Sequence, residues 1–145
     1  MPALGSLAAG PVGRGQRWLA WIAPPHAPYA PALAQSGIAP ERLLLVSTEK
    51  TADRLWAIEQ ALRSGSCAAV LAWLDAADDR WLRRLKLAAE TGRTLAVLLR
   101  PVRRRATASP ASLRVVLEPT PAGLDLWLVK SRGRGPVRVH DVFGG

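Results

Sequence analysis

Cysteine, histidine and aromatic residues other than tryptophan are scarce in this chain. Its 145 residues include one Cys, one Met, one Tyr, one Phe and two His. A single thiol, Cys67, excludes an internal disulfide and a site built on paired thiolates. His26 has no nearby Ser, Cys or carboxylate, and His140 lies in the tail. We therefore expect no metal site and no catalytic triad, with Cys67 a small buried strand residue.

Long apolar runs and a phosphate-binding loop are also missing. The longest apolar stretches span seven or eight residues, well short of the roughly 20 that cross a bilayer. The N-terminus lacks a charged region followed by an apolar signal-peptide core. These features predict a cytoplasmic protein without a membrane partner. The pattern Gly-x-x-x-x-Gly-Lys-[Ser/Thr] is absent from the sequence, so we expect no nucleotide site and no cofactor.

Positive charge is abundant and concentrated near the C-terminus. The chain carries a net charge of +9, and 17 of its 20 basic residues are Arg. Residues 1–99 account for +3 of that charge and residues 100–145 for +6. This distribution favours an anionic partner. Coding bias in a GC-rich genome explains the preference for Arg over Lys equally well.

Apolar runs alternate with amphipathic helical patterns between Arg17 and Arg100. Strands are expected at 18–23, 43–46, 67–74 and 94–99, with helices between them. Ser47 or Thr48 is positioned to cap the second helix, and Asp78 and Asp79 are expected at the N-terminus of the third, where the helix dipole favours acidic residues. Continuous apolar strands of this kind predict an α/β fold with a mostly parallel sheet flanked by helices.

After Arg100 and Pro101 the pattern changes to two strands, 113–118 and 124–130. The five residues between them suit an antiparallel β-hairpin, and 137–139 is predicted to add a short edge strand. Residues 1–16 are rich in Gly, Ala and Pro and are expected to be a flexible remnant. The length of the rest favours a single domain over 17–145.

The cassette Arg17-Trp-Leu-Ala-Trp-Ile-Ala-Pro-Pro-His26 resembles the second core strand of RecA-type ATPases. In that alignment Pro25 stands where the catalytic glutamate would be, and Trp73 stands at the Walker B aspartate. The resemblance implies a RecA-like domain without its phosphate-loop segment. It also implies a degenerate ATPase fold that is not an enzyme.

Two families of such RecA-like proteins are similar to this sequence. Residues 17–25 and Trp73-Leu74-Asp75 resemble the SulA family of SOS cell-division inhibitors. Residues 21–31, 55–65 and 85–90 look still more like ImuA, an accessory protein of translesion DNA synthesis. SulA-like chains end near the fourth strand, whereas ImuA-like chains continue into a hairpin. ImuA-like chains also have a first core strand before the position of Arg17, which this sequence lacks.

The main functional prediction is therefore an ImuA-like accessory factor in the SOS response to DNA damage. Its implied partner is RecA or an ImuB-like protein. The alternative is SulA-like inhibition of division through binding FtsZ and blocking its polymerisation. The two readings share a non-catalytic protein that acts by protein–protein interaction.

Candidate partner-binding residues fall in three places. Trp18 and Trp21 lie on the first strand, where we expect an edge or a face of the sheet to be exposed and to favour a homo-oligomer. The Pro-rich loop that follows carries Pro25, His26 and Tyr29 at the carboxyl end of a strand, where α/β folds bind ligands. The last group, Lys130, Arg132 and Arg134, matches a basic turn that in RecA reaches the neighbouring subunit. Structural alternatives remain open: a rigid turn, a solvated strand end and, for most of the six Trp, the core.

Residues 100–105 form the densest basic run, and Arg103, Arg104 and Arg105 are its candidate nucleic-acid contacts. They occupy the region where RecA proteins place DNA-contacting loops, which predicts salt-dependent contact with single-stranded DNA. A solvated loop is the equal alternative, because no aromatic residue is interleaved to stack on bases.

Overall fold

The computed structural model describes residues 17–104, 109–133 and 135–140. They belong to two compact units, Met1–Pro101 and Val102–Gly145, here called the α/β unit and the hairpin unit. Each is described by itself. The single domain expected over 17–145 stays a prediction, and the flexible segment expected at 1–16 lies outside the described residues.

The α/β unit alternates strands and helices along the chain. Its elements are β1 Trp18–Ile22, α1 Ala30–Gln35, β2 Leu43–Val46, α2 Thr51–Arg63, β3 Cys67–Trp73, α3 Asp79–Gly92 and β4 Leu95–Leu99. The four strands form one sheet in the order β2-β1-β3-β4, and every pair is parallel. The predicted α/β class with a parallel sheet is confirmed.

The first strand is an interior strand of this sheet. β1 pairs with β2 on one side and with β3 on the other, so the expectation of an exposed edge at β1 is wrong. Strand order depends on contacts distant in sequence, and the apolar run alone does not report it. The outer positions belong to β2 and β4.

Both faces of the sheet are buried. On one face Ala20, Ile22, Val70 and Ala72 pack with residues of α2 and α3: Leu55, Ile58, Leu62, Leu85 and Ala88. On the other face the core consists of Leu19, Trp21, Ala69 and Leu71 with Leu33 and Ile38. Alternate residues of one strand point to opposite faces, which is why these strands are apolar throughout.

Helix starts confirm one sequence prediction and correct another. Asp78 caps α3 by accepting a 2.8 Å hydrogen bond from the Trp81 backbone N–H. Helix α2 begins at Thr51 after Lys50, without a side-chain cap, so the cap predicted at Ser47 or Thr48 is wrong. The backbone carbonyl of Thr48 accepts instead from Arg54 Nη2 at 3.2 Å.

Helices α2 and α3 meet around a buried carboxylate. Glu59 is 2% exposed, and Arg84 donates to both of its oxygens, from Nε and, at 3.0 Å, from Nη2. The Arg84 guanidinium also lies 4.5 Å from the Trp81 ring centre. At the end of α3 the chain approaches α2 so closely that a Cβ on Gly92 would lie 1.7 Å from the carbonyl oxygen of Leu62.

The hairpin unit is a three-stranded antiparallel sheet. It consists of β5 Arg114–Thr120, β6 Gly123–Lys130 and β7 Val137–Val139, in that spatial order. Both predicted hairpin strands and the predicted edge strand are confirmed. The connection is tighter than expected, since Thr120 pairs with Gly123 and two residues rather than five form the turn.

Candidate protein-binding surface

A cleft lies at the carboxyl ends of the four parallel strands. Its volume is about 730 Å³. It is lined by Ala23, Pro24, Pro25, Ser47, Thr48, Glu49, Arg54, Trp73, Leu74, Asp75, Leu99, Arg100 and Pro101. The cleft thus brings together Pro25 and Trp73. Among the described residues, no group of three or more His, Cys, Asp or Glu is placed to hold a metal ion.

Two arginines on the cleft wall are bound to backbone carbonyls. Arg54 donates to Trp73 O and Thr48 O, each at 3.2 Å, and Arg100 donates to Asp75 O at 3.3 Å. Arg54 therefore connects the β2–α2 loop to the end of β3. Glu49 and Asp75 lie in the same wall, so the cleft is not a simple anion site. The sequence patterns gave no signal for a functional role of Arg54 or Glu49.

The Pro-rich loop after β1 is exposed over most of its length. Pro25 and His26 are exposed, and Tyr29, which precedes α1, is 72% exposed. The residue that enters the loop, Ala23, has a left-handed backbone with φ of 54°. Among these predicted partner-binding residues, Pro25 lines the cleft, and the outward position of Tyr29 leaves its ring available to a partner.

The two tryptophans of β1 have different environments. Trp18 is 38% exposed, and the Arg42 guanidinium lies 5.6 Å from its ring centre. Trp21 is 7% exposed, and its ring centre lies 5.7 Å from that of Trp73. The proposed contact of Trp21 with a partner is therefore a misassignment, because its side chain belongs to the core.

Next to Trp18 the outer strand β2 exposes aliphatic side chains. Leu44 and Leu45 are 44% and 43% exposed, and no described strand pairs with β2 on its outer side. We call Trp18, Arg42, Leu44 and Leu45 the β2 margin. The Leu43–Val46 run predicts a strand but not its place in the sheet, because a buried strand and an aliphatic outer strand look alike in sequence.

Arg17 lies at the amino end of β1, at the end of the sheet opposite to the cleft. Its Nη2 donates to Cys67 O at 2.7 Å and to Arg93 O at 3.0 Å. Cys67 is buried, as predicted. Burial raises the pKa of its thiol, and the nearby Arg17 charge offsets part of that rise.

The basic candidates of the hairpin unit are spread along the chain. Arg103 and Arg104 lie in the short helical turn Val102–Arg104, whereas Arg105 and Arg134 lie outside the described residues. Lys130 Nζ donates to Ser109 O at 3.1 Å, and Arg132 is exposed just after β6. No helix in the described part of the chain is long and apolar enough to cross a bilayer.

Comparison with known proteins separates the two predicted families. The family model described as "Cell division inhibitor SulA" matches residues 7–96. A protein named cell division inhibitor SulA from Edwardsiella piscicida is 32% identical over 90 residues, which cover 62% of this chain and 54% of that protein. The SulA of Serratia marcescens is 30% identical over 92 residues, covering 63% and 55%. This chain spans about half the length of these curated relatives.

A solved structure agrees with the sequence matches. The chain resembles the crystal structure of SulA from Pseudomonas aeruginosa with a TM-score of 0.57 and 30% identity. The alignment covers 68% of this chain and 81% of that one. These relatives bear the name of a division inhibitor, not of an enzyme.

The predicted ImuA-like role in translesion synthesis, with RecA or an ImuB-like partner, is wrong. That prediction depended on the residue strings at 21–31, 55–65 and 85–90 and on the hairpin that follows the fourth strand. The SulA family model matches residues 7–96, which include all three strings, and the match ends before the hairpin begins. This chain belongs to the SulA family.

Proposed function

We propose that this chain inhibits bacterial cell division by binding FtsZ and blocking its polymerisation. The observation that carries this proposal is the family match over residues 7–96, which includes β1 to α3. The matched relatives are named cell division inhibitors. This chain spans about half of their length. We therefore propose FtsZ as its partner on the strength of the family match. Descent from a RecA-like ATPase that lost its catalytic groups is also proposed, supported by the parallel strands that alternate with helices.

The β2 margin is the surface that we assign to this contact. An outer strand offers unpaired backbone groups to an incoming chain. Here that strand also carries two half-exposed leucines on opposite faces of the sheet, at Leu44 and Leu45. Clustered exposed aliphatic groups are typical of protein interfaces.

Trp18 and Arg42 strengthen the assignment. Tryptophan and arginine are enriched among the residues that dominate binding energy at interfaces. The Arg42 charge packed on the Trp18 ring holds both side chains in place before binding, which lowers the entropy that association would cost. Exposed Tyr29, Pro25 and His26 extend the proposed contact along the loop after β1. Lys130, Arg132 and Arg134 remain proposed partner contacts of the hairpin unit.

The experiment is an FtsZ sedimentation assay with GTP and increasing amounts of the purified chain. We expect the amount of pelleted FtsZ to fall as the chain approaches the FtsZ concentration. Leu45→Glu should weaken this inhibition at least about tenfold, since a buried charge at an aliphatic interface opposes binding.

Leu95→Glu is the matched control. Leu95 lies on the other outer strand, β4, and its 45% exposure equals that of Leu45 within two percentage points. Inhibition unchanged by both Leu44→Glu and Leu45→Glu, with folding intact, would move the contact away from the β2 margin. Pelleted FtsZ that stays constant with the unaltered chain in excess would refute the proposed function itself.

A further inference from the structure

The outer edge of β2 carries backbone groups that are directed away from the sheet. In a parallel pair, alternate residues of a strand turn their N–H and C=O toward the neighbouring strand, and the residues between them turn away. Val46 faces β1, because its C=O accepts a 2.8 Å hydrogen bond from the Ala23 N–H. Leu44, two residues earlier, faces β1 as well. Leu43 and Leu45 therefore direct their backbone groups outward.

The N–H and C=O of Leu45 are the groups of this edge that an incoming chain can use together. The Leu43 N–H is already bonded to the Pro40 C=O, in the short helical turn Pro40–Arg42. For the N–H and C=O of Leu45, no described residue supplies a hydrogen-bond partner. An outer strand with an open N–H and C=O pair is where an extended segment of another chain adds to a sheet.

The side chains along the edge define what an added strand must contain. Leu44 points to the face of the sheet that packs on α2 and α3, and Leu45 points to the opposite face. They are 44% and 43% exposed, so an added segment meets an aliphatic neighbour on both faces. Strands with apolar neighbours on both faces are apolar at successive positions. The complementary segment is therefore short, extended and apolar throughout.

Both ends of this edge are held by contacts within the α/β unit. Before β2, the Arg42 N–H is bonded to the Ala39 C=O at 2.9 Å, and the Arg42 guanidinium packs on the Trp18 ring. After β2, the Thr48 C=O accepts from Arg54 Nη2 at 3.2 Å. A strand that is fixed in its extended form before binding loses less entropy on association.

We propose that FtsZ binds this edge by adding one of its extended segments to the sheet as a further strand, bonded to the N–H and C=O of Leu45. The segment would lie beside β2 and cover Leu44 on one face and Leu45 on the other. This inference rests on the proposed function and goes beyond it, because contact through exposed side chains alone requires no backbone pairing. The two modes of binding differ in what they require of a single N–H group.

The other outer strand, β4, supplies a matched control. The Leu74 N–H donates to the Leu99 C=O at 3.0 Å, so Leu99 faces β3 and Leu98 faces away from it. Leu98 is therefore a leucine with an outward N–H at the opposite edge of the same sheet. A change specific to the β2 edge should affect Leu45 and leave Leu98 as it was.

The first measurement is backbone amide exchange in the full chain, with and without FtsZ kept unpolymerised by GDP. We expect the Leu45 N–H to exchange fast in the free chain, whereas the Leu44 N–H, which faces β1, should exchange slowly. Added FtsZ should slow exchange at Leu45 at least about tenfold, while exchange at Leu98 stays unchanged.

The second measurement replaces one backbone N–H at a time with an ester oxygen, by means of the hydroxy-acid analogue of leucine. The ester at Leu45 keeps the side chain and removes the donor, so the concentration of chain that halves FtsZ sedimentation should rise roughly fivefold. The same ester at Leu98 should leave inhibition unchanged. Each ester also weakens the preceding carbonyl, which faces the sheet in both variants, so their stabilities in urea should agree.

Three kinds of outcome would overturn the proposal. Slow exchange at Leu45 in the free chain would show that the edge is already paired, within the chain or with a second copy. Unchanged exchange at Leu45 in the complex, or equal inhibition by the two ester variants, would leave the proposed function in place and assign the contact to side chains alone. Failure of the unaltered chain to bind FtsZ would refute the proposed function and the added strand together.

Discussion

The α/β unit and the hairpin unit bury their strands in opposite ways. In the α/β unit both faces of the sheet carry core residues, so its interior strands β1 and β3 are apolar on both sides. In the hairpin unit β6 alternates, with Leu124, Leu126 and Leu128 on one face and Asp125 and Trp127 on the other. In the first pattern the exposed aliphatic side chains lie on the outer strands, and in the second they lie along one face of the sheet.

The two units also stabilise a buried carboxylate differently. Glu59 of the α/β unit lies between two helices and is paired with Arg84. Asp125 of the hairpin unit lies on a sheet and is paired with side chains of the last described strand and the residue after it. Glu59 is therefore bound between two helices of the core, whereas Asp125 is bound to a three-residue edge strand. Substitutions in matched pairs can test that difference.

The largest effect is expected from Gly92→Ala in the α/β unit. Alanine normally stabilises a helix relative to glycine by about 1 kcal/mol, but here its Cβ would lie 1.7 Å from a backbone oxygen of α2. We expect the free energy of unfolding, measured with urea, to fall by more than about 3 kcal/mol. In Gly135→Ala, in the hairpin unit, the added Cβ would lie in open space, and the free energy of unfolding should change by less than about 0.5 kcal/mol. Stabilisation by Gly92→Ala would show that the helix ends separate easily.

Next in size is the effect of Arg84→Met. It removes both hydrogen bonds that Arg84 makes with buried Glu59 and should cost roughly 2–3 kcal/mol of unfolding free energy. Arg83→Met is the control, because Arg83 pairs with exposed Asp79 at 2.7 Å on the same helix and should cost about 0.3–0.5 kcal/mol. Adding Glu59→Gln to Arg84→Met should recover part of the loss. Equal effects of the two single substitutions would contradict the importance of burial.

A smaller effect is expected from Arg138→Met in the hairpin unit. Asp125 would lose its Arg138 hydrogen bonds, and Trp127 would lose the cation on its ring, at a cost of roughly 1–2 kcal/mol. Since β7 has only three residues, we expect the loss as faster amide exchange along β6 and β7. Arg132→Met, at an exposed turn position, should leave exchange unchanged. Faster exchange throughout the α/β unit would mean that the two units are not independent in stability.

The smallest effect concerns the basic run in the hairpin unit. If Arg103, Arg104 and Arg105 contact phosphates, replacing all three with Ala should lower the salt slope of single-stranded DNA binding by roughly 0.7 per lost contact. We expect weak binding overall because no aromatic residue is interleaved in the run to stack on bases. An unchanged slope would assign the run to a solvated loop. The same substitutions should leave inhibition of FtsZ polymerisation intact.

Local rules predicted much of the fold. Asp78 caps α3 because a short acidic side chain next to a helical pattern bonds the first free N–H groups. The hairpin strands followed from alternation and turn residues. The cap predicted for α2 at Ser47 or Thr48 was wrong because the helix begins only at Thr51, after a loop in which the Thr48 carbonyl accepts from Arg54. That contact depends on tertiary packing, which a local pattern does not contain.

The candidate surface was less accessible to sequence reasoning. Trp18 and Trp21 lie three residues apart on one strand, yet only Trp18 is substantially exposed. Their difference follows from the position of β1 inside the sheet and from a shift in register, at Trp18 and Leu19, in the pairing of β1 with β3. Leu44 and Leu45 looked like core residues because the outer position of β2 depends on strand order. The alternation of apolar residues in β5 and β6 indicates in sequence that one face of the hairpin sheet is aliphatic.

The interior position of β1 has a consequence for the order of folding. Its β2 neighbour is close in the chain, with Leu19 opposite Leu43, but its β3 neighbour is distant, with Leu19 opposite Ala69. Contacts between residues far apart in sequence form slowly, and even β1 and β2, being parallel, need a crossover connection rather than a hairpin turn. A ribosome that has released residues up to the end of β2 therefore displays the apolar strand β1 before its β3 partner has emerged. Until then, that side of β1 is a site for chaperone binding or for aggregation.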